Sequence, residues 1–240
     1  MTMDVLVILP TYNERDNLPG LLRAVLAHDA VRVMVVDDGS PDGTGALADA
    51  AALEFPGRVE VVHRTGPRGL GRSYVDGLQR ALRGTADVIC QMDADWSHDP
   101  QYLPALVAAT ADHDLVIGSR YLRGVSVVNW PLRRIILSSF ANRYIRAVMH
   151  LSPRDCTSGY RCWRREMLAR LPLEGVVSDG YAFLVELLFD AARRGARIAE
   201  VPIIFVERRQ GVSKMSLGVI IESMITPWRL QLRRLFRRSP

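Results

Sequence analysis

An α/β fold built on a largely parallel sheet is predicted by three features of the chain. Short β-branched runs alternate with helix-like periodic segments over residues 4–119, acidic residues gather where two of those runs end, and no internal repeat or low-complexity linker interrupts the order. With 48% of its 240 residues hydrophobic and 24% charged, the chain has the balance of a globular domain that buries a real core. It reads as one domain over residues 1–216 followed by an amphipathic, Arg-rich elaboration at 217–240.

The elements follow in order. DVLVIL at 4–9 is a strand, 16–28 a helix, VRVMVVD at 31–37 a strand, 44–54 a helix and VEVVH at 59–63 a strand. A helix at 71–83, a strand DVICQM at 87–92, a helix at 101–111 and a strand DLVIGS at 114–119 complete the alternation. Such spacing implies right-handed βαβ units with helices on both faces, and ligands on such a sheet sit at the carboxyl ends of its strands. Beyond residue 120 the pieces lengthen. In the helix expected at about 133–151, Ser138, Asn142, Arg146 and His150 recur every four residues and draw one narrow polar stripe on an otherwise apolar surface. LGVIIESMI at 217–225 is similarly apolar and is followed by Pro227, expected as a kink or as the first residue of a new helix capped by Thr226. The two helices can pack on each other, on a partner, or in a headgroup layer, and the first can equally be a buried core helix.

Several classes are disfavoured. Cys90, Cys156 and Cys162 are an odd set without a C-x-x-C pair, which signals neither a disulfide framework nor a zinc site and fits a reducing compartment. The N-terminus lacks the basic start of an export signal, and no stretch approaches the roughly 18–20 apolar residues of a spanning helix. The net charge is +5, and five arginines without an acid lie in residues 229–240, so the body is close to neutral. Interleaved Leu230, Leu232, Leu235 and Phe236 suit that tail to an anionic membrane surface rather than to nucleic acid.

The chemistry sits at strand ends. Asp37 and Asp38 close the strand at 31–37 and lead into GSPDGT, where they can receive a ribose or a base N–H, or serve only as a turn and cap cluster. Asp93 and Asp95 bracket one residue at the end of the strand at 87–92, so both carboxylates can reach one hard cation, Mg²⁺ or Mn²⁺ on a diphosphate. Asp99 precedes Pro100 and reads as a helix N-cap rather than a ligand. GPRGLGRS at 66–73 approaches the phosphate loop of nucleotide hydrolases, but Arg72 stands at the lysine position and the segment follows the third strand. PTYNERDN after the first strand has no G-x-G-x-x-G, which disfavours a dinucleotide oxidoreductase. Arg120 ends the strand at 114–119, and Lys214, the only lysine, follows Arg208, Arg209 and Gly211 in a segment suited to phosphates. No protein nucleophile is evident, and a phosphate acceptor needs none, because it is already an anion at neutral pH.

Together PTYNE at 10–14, VVDDGSPDGT at 35–44, GPRGLGRSYVDG at 66–77, QMDADWSHDP at 91–100, GSRY at 118–121, DCTSGYRCW at 155–163 and FVERRQGVSKMS at 205–216 resemble the polyprenol-phosphate mannose synthases. These are inverting family 2 glycosyltransferases with the Rossmann-like GT-A fold. The resemblance spans residues 4 to about 216 and implies an enzyme that moves mannose from GDP-mannose to a polyprenyl or dolichyl phosphate. It implies that Pro10, Tyr12, Glu14 and Asp37 hold the guanosine, with Asp38 nearby and the glycine loop around Gly69 closing on it. Asp93 and Asp95 would carry Mg²⁺ or Mn²⁺, Arg120, Arg133 and Ser138 would receive the acceptor phosphate, and Arg208 and Lys214 would neutralise phosphates of both substrates. Asp95, Arg120 and Lys214 are the residues on which catalysis is expected to rest. Ser97 stands where relatives often carry a glutamine metal ligand. The resemblance also implies a peripheral enzyme at the cytoplasmic face of a membrane, short of spanning helices and served by a separate integral-membrane partner. Two rivals remain at this stage: a glucosyl or aminosugar transferase using another nucleotide sugar, and a non-enzymatic basic module binding nucleotide or nucleic acid.

Overall fold

The computed structural model describes residues 3–175, 182–207 and 224–232. Its elements are β1 (Val5–Thr11), α1 (Leu18–Leu26), β2 (Val31–Asp37), α2 (Thr44–Glu54), β3 (Val59–His63), α3 (Leu70–Ala81), β4 (Val88–Gln91), α4 (Leu103–Ala109), β5 (Leu115–Ser119), β6 (Val127–Val128), α5 (Leu132–Met149), β7 (Arg161–Arg164), α6 (Arg165–Leu168), α7 (Ala182–Arg193), β8 (Ile198–Pro202) and β9 (Phe205–Val206). Among the described residues, seven strands form one sheet in the order β3-β2-β1-β4-β7-β5-β8, and β6 and β9 pair as a separate short ribbon.

Every pairing in the large sheet is parallel except those of β7, which runs antiparallel to both β4 and β5. The chain winds outward from β1 through β2 to β3, then returns to β4 on the other side of β1. The strand order reverses there, the position at which open α/β sheets place a ligand crevice beyond the carboxyl ends of their strands. The register that sets Thr11 beside Asp37 brings the segments after β1 and β2 together at that crevice. All seven residues of β1 are buried, because helices cover both faces. Leu6 and Ile8 join one core with Tyr74, Leu78, Ile145 and Phe183, whereas Val5, Val7 and Leu9 join the other with Leu21, Leu22, Leu103 and Leu106. The alternation of a strand thus feeds two cores from one sequence run.

The predicted strands and helices up to residue 119 are present with ends shifted by a few residues, and α2 and β3 occupy their expected ranges. Asp99 is the expected N-cap: its Oδ1 accepts the Gln101 N–H at 2.9 Å at the start of a 3₁₀ turn over Pro100–Tyr102. The described residues 224–232 are helical, and Thr226 lies buried within that helix with Pro227 after it. Thr226 is therefore not a capping residue, and Pro227 sits in the helix without beginning it. The expected helix at 216–226 falls mostly outside the described residues. This last helical stretch packs on α5: Tyr144 Oη accepts from Trp228 Nε1 at 2.8 Å and donates to the Met224 carbonyl at 2.9 Å, and Gln231 donates to the Val148 carbonyl at 2.9 Å.

The polar stripe of α5 points inward. Asn142 is 3% exposed, while Leu132, Ile136 and Phe140 are 70%, 60% and 59% exposed along one i, i+4 row. Asn142 thus faces the protein while Leu132, Ile136 and Phe140 face outward; Ile145 and Met149 of the same helix pack into the core, and His150 at the end of the stripe is exposed.

Close packing in the first core yields a stability test. A Cβ at Gly77 of α3 would lie 2.7 Å from Ile8 Cγ2 and 3.1 Å from Val36 Cγ2, both anchored in the sheet. Gly77→Ala is expected to lose about 1–3 kcal/mol of unfolding free energy in urea, the cost of overpacking outweighing the helix preference for Ala.

Candidate active site

The site is assembled from three loop clusters along the carboxyl edge of the sheet. At the first, β1 and β2 deliver Pro10, Tyr12 and Glu14 beside Asp37 and Asp38. Asp37 is buried, and its Oδ1 accepts from Thr11 Oγ1 at 3.2 Å and Ser40 Oγ at 2.5 Å while its Oδ2 accepts the Ser40 N–H at 3.1 Å. The carboxylate therefore caps its own turn. Asp38 anchors the glycine loop: its Oδ2 accepts the Gly69 N–H at 2.8 Å and its Oδ1 pairs with Arg64. That loop reaches Tyr12, whose hydroxyl accepts from Arg68 at 2.6 Å under a guanidinium lying 4.6 Å from the ring centroid. Glu14 accepts from Asn17 at 2.8 Å, and its N–H donates to Thr44 Oγ1 at 3.0 Å.

The second cluster follows β4. Asp93 Oδ1 accepts the Tyr74 hydroxyl at 2.7 Å, and the Asp93 N–H donates to His98 Nδ1 at 2.9 Å. Because Nδ1 accepts, it carries no proton. Burial pulls the His98 pKa below its ordinary value, outweighing the upward pull of Asp93 and Asp95, so the ring is neutral at pH 7 and positions the loop without adding charge. Asp95 is buried, and its Oδ1 accepts the Ser97 N–H at 3.1 Å and the Ser97 hydroxyl at 2.5 Å. Asn13 and Trp96, one in each of the loops after β1 and β4, have φ of +61° and +64°, a conformation that costs non-glycine residues energy and clusters at functional sites.

These residues fit a hard divalent cation. Two carboxylates two residues apart supply oxygen ligands, and a Cβ at Gly159 would stand 3.7–3.8 Å from both Asp93 oxygens, so glycine keeps that side open. Among the described residues no group of three His, Cys, Asp or Glu side chains converges to hold a metal. A two-carboxylate site whose remaining ligands come from phosphate oxygens and water is the usual arrangement for Mg²⁺.

The third cluster lies beyond β5. Arg120 is buried, and its Nε and Nη2 pair with the two oxygens of fully buried Asp155, each at 2.7 Å, while Nη2 also donates to Thr157 at 2.8 Å. Burial raises the Asp155 pKa, but the charge and hydrogen bonds of Arg120 outweigh it and hold the carboxyl below its ordinary value. Glu200 of β8 receives the Arg154 and Asp155 N–H groups at 2.8 and 2.9 Å, and Asn142 receives the Cys156 N–H at 2.8 Å. Tyr121 donates to Ser138 Oγ at 2.8 Å.

Arg133, expected beside Ser138, is exposed. Arg134 occupies the inward row instead, four residues before Ser138, pairing with Glu207 and lying 4.0 Å over the Trp130 ring. The signal was present in the sequence, since extending the four-residue polar stripe back one turn from Ser138 lands on Arg134. Arg64, Asp155, Trp130 and Glu207 were not anticipated, because partners of this kind are set by the fold rather than by spacing. Arg208 and Lys214 lie outside the described residues.

The fold is shared with solved structures. Glucosyl-3-phosphoglycerate synthase from Mycobacterium tuberculosis, solved with Mn²⁺, UDP and glucosyl-3-phosphoglycerate, matches with a TM-score of 0.70 at 20% identity over 99% of this chain and 81% of that one. The same enzyme solved with Mg²⁺ and UDP gives 0.67 at 20% identity over 94% and 79%. The fold is thereby GT-A. The model of glycosyl transferase family 2 matches residues 6–171, and the chain belongs to that family. Among its relatives are the polyprenol monophosphomannose synthase of Mycolicibacterium smegmatis, 49% identical over 97% of this chain and 89% of that one, and the undecaprenyl-phosphate mannosyltransferase of Micrococcus luteus, 46% identical over 96% of each.

Breaking the third cluster by Asp155→Asn leaves the Arg120 cation buried without its carboxylate, and a loss of about 3 kcal/mol in urea unfolding is expected. Because the folded Asp155 pKa is lowered, this contribution is complete above the unfolded value of about 4 and disappears only as pH falls through the lower folded value. The stability gap between wild type and variant should hold from pH 7 to about 4 and close below it.

Proposed function

We propose that the chain is a polyprenyl-phosphate mannosyltransferase that moves mannose from GDP-mannose to a polyprenyl or dolichyl-type phosphate, with inversion. The observation that carries this reading is the near-full-length identity with two enzymes named for that chemistry. The geometry agrees with it, placing an acidic cluster suited to a metal–diphosphate beside a second cluster rich in guanidinium groups.

Pro10, Tyr12, Glu14 and the turn capped by Asp37 form the nucleoside end, and Asp38 holds Gly69 and its loop against it. Asp93 and Asp95 would hold Mg²⁺ or Mn²⁺, which would supply positive charge at the diphosphate. Arg120, Arg134 and Ser138 orient the acceptor phosphate. One of its oxygens attacks the anomeric carbon from the face opposite the diphosphate, the new C–O bond forms as the bond to GDP breaks, and GDP leaves with the electron pair. No base is needed, because a phosphate monoester with its second pKa near ~6 is already largely a dianion at neutral pH. Catalysis rests on positioning and charge neutralisation. Arg120 and Arg134 each already face a carboxylate, and Arg208 and Lys214 are assigned to neutralise phosphates of both substrates.

Leu132, Ile136 and Phe140 of α5, joined by Met224, Ile225, Trp228 and Leu232, present an apolar face that seats on the membrane where the lipid acceptor resides. Among the described residues no helix is long and apolar enough to cross a membrane. The chain then works peripherally at the cytoplasmic face, and an integral-membrane partner would meet the same apolar surface.

Two variants test the assignment. Asp95→Ala is expected to lower mannosyl-lipid formation by roughly 10²-fold or more with an unchanged circular dichroism spectrum. Arg134→Gln should raise the KM for the lipid phosphate about tenfold or more while leaving that for GDP-mannose near wild type. Full turnover by Asp95→Ala would remove the metal assignment, and an unchanged acceptor KM would remove Arg134 from the acceptor site.

A further inference from the structure

The third cluster holds more hydrogen-bond donors than it can satisfy. Trp130 Nε1 and Arg134 Nε are both buried from solvent, and neither has a hydrogen-bond partner. The two groups touch, with the Arg134 guanidinium 4.0 Å from the Trp130 ring centroid. Arg120 lies 5.5 Å from the same ring, and Phe205 meets it edge-on at 5.4 Å, so the indole is clamped on several sides. Buried polar atoms are almost always paired, and two orphaned donors on touching side chains are a deficit that a ligand can relieve.

The sign of the deficit identifies the ligand chemistry. The nearby carboxylates of Asp155 and Glu207 are already engaged by Arg120 and Arg134. Tyr121 donates to Ser138 Oγ, which leaves the Ser138 proton available to donate outward. What the cluster wants is a group with several acceptor oxygens and no proton of its own. A sugar hydroxyl, donor as well as acceptor, matches this less well than a phosphate monoester dianion. We propose that the Trp130 indole N–H binds the acceptor phosphate directly, completing with Arg134 Nε and Ser138 a cradle whose aromatic member is held rigid by Arg134 and Phe205. The proposal rests on the acceptor assignment above and adds a contacting residue to it.

The test uses the full chain with ¹⁵N-labelled tryptophan. The Trp130 indole resonance is identified as the one missing from Trp130→Phe, and it is followed as geranyl phosphate, inorganic phosphate or geraniol is added. A downfield shift with both phosphates and none with geraniol is expected. A shift with geraniol alone, or no shift at phosphate concentrations that saturate the protein, would overturn the proposal, the latter meaning that the indole faces only trapped water. In transfer assays Trp130→Phe keeps the ring but loses the N–H. It should raise the KM for polyprenyl phosphate about tenfold, with the KM for GDP-mannose and the unfolding midpoint near wild type. If Arg134→Gln weakens the acceptor and Trp130→Phe does not, this inference fails while the functional reading stands. If the indole responds to phosphates but no mannosyl lipid is made, the phosphate contact stands and the donor or acceptor reading fails.

Discussion

Arg120 and Asp155 are buried together at the carboxyl end of β5, where each ion forfeits several kcal/mol of hydration and only tight mutual geometry offsets the loss. That geometry recruits its surroundings. Glu200 ties the loop carrying Asp155 to β8, Thr157 bonds Arg120, and Asn142 on α5 bonds the Cys156 N–H and the Thr157 hydroxyl. A helix that must present Asn142 to this network turns Ser138 and Arg134 of the same row the same way, because residues four apart share a face. Ser138 and Arg134 are thereby brought beside Arg120, and Leu132, Ile136 and Phe140 are turned outward. One buried ion pair thus sets both the third cluster and the outward apolar face of α5.

At the first two clusters, the acidic residues divide their labour. Asp37 and Asp38 are largely spent on backbone and loop, one capping the turn after β2 and the other fixing Gly69 and Arg64. Asp93 is aimed by Tyr74 and by His98, a neutral acceptor for its N–H, and Gly159 leaves its outer side clear. Such supports keep the first contacts of a substrate in place before it arrives, the preorganisation that electrostatic catalysis needs.

The α/β half was legible because β1, β2 and β4 are buried on both faces and read as apolar runs, each followed by a periodic helix. β7 was not legible. Its RCWR sequence carries arginine at both ends, yet Arg161 is fully buried because its guanidinium donates to the carbonyls of Cys156, Ser158 and Leu184. No local pattern announces a buried guanidinium held by three carbonyls, one of them 23 residues away, with its pKa brought down to about 10 by burial. The antiparallel strand it occupies is what separates this sheet from a simple parallel one. At the site, motif residues at strand ends were readable one by one, but their partners were not. Arg64, Asp155 and Glu207 acquire roles only when segments 26, 35 and 73 residues apart in sequence meet. The polar stripe of α5 is legible over Ser138, Asn142 and Arg146, whereas His150 falls past the helix end with φ of +52° and is exposed; the direction the stripe faces depends on the Arg120 and Asp155 network.

The central claim is that these clusters together move mannose from a nucleotide diphosphate to a lipid phosphate. The most direct measurement is transfer of labelled sugar into an organic-extractable polyprenyl phosphate product, with GDP-mannose and UDP-glucose offered in parallel and Mg²⁺, Mn²⁺ or EDTA present. Label entering the lipid from GDP-mannose, with either metal and not with EDTA, is the predicted result. Label from UDP-glucose alone, or transfer unaffected by EDTA, would contradict it.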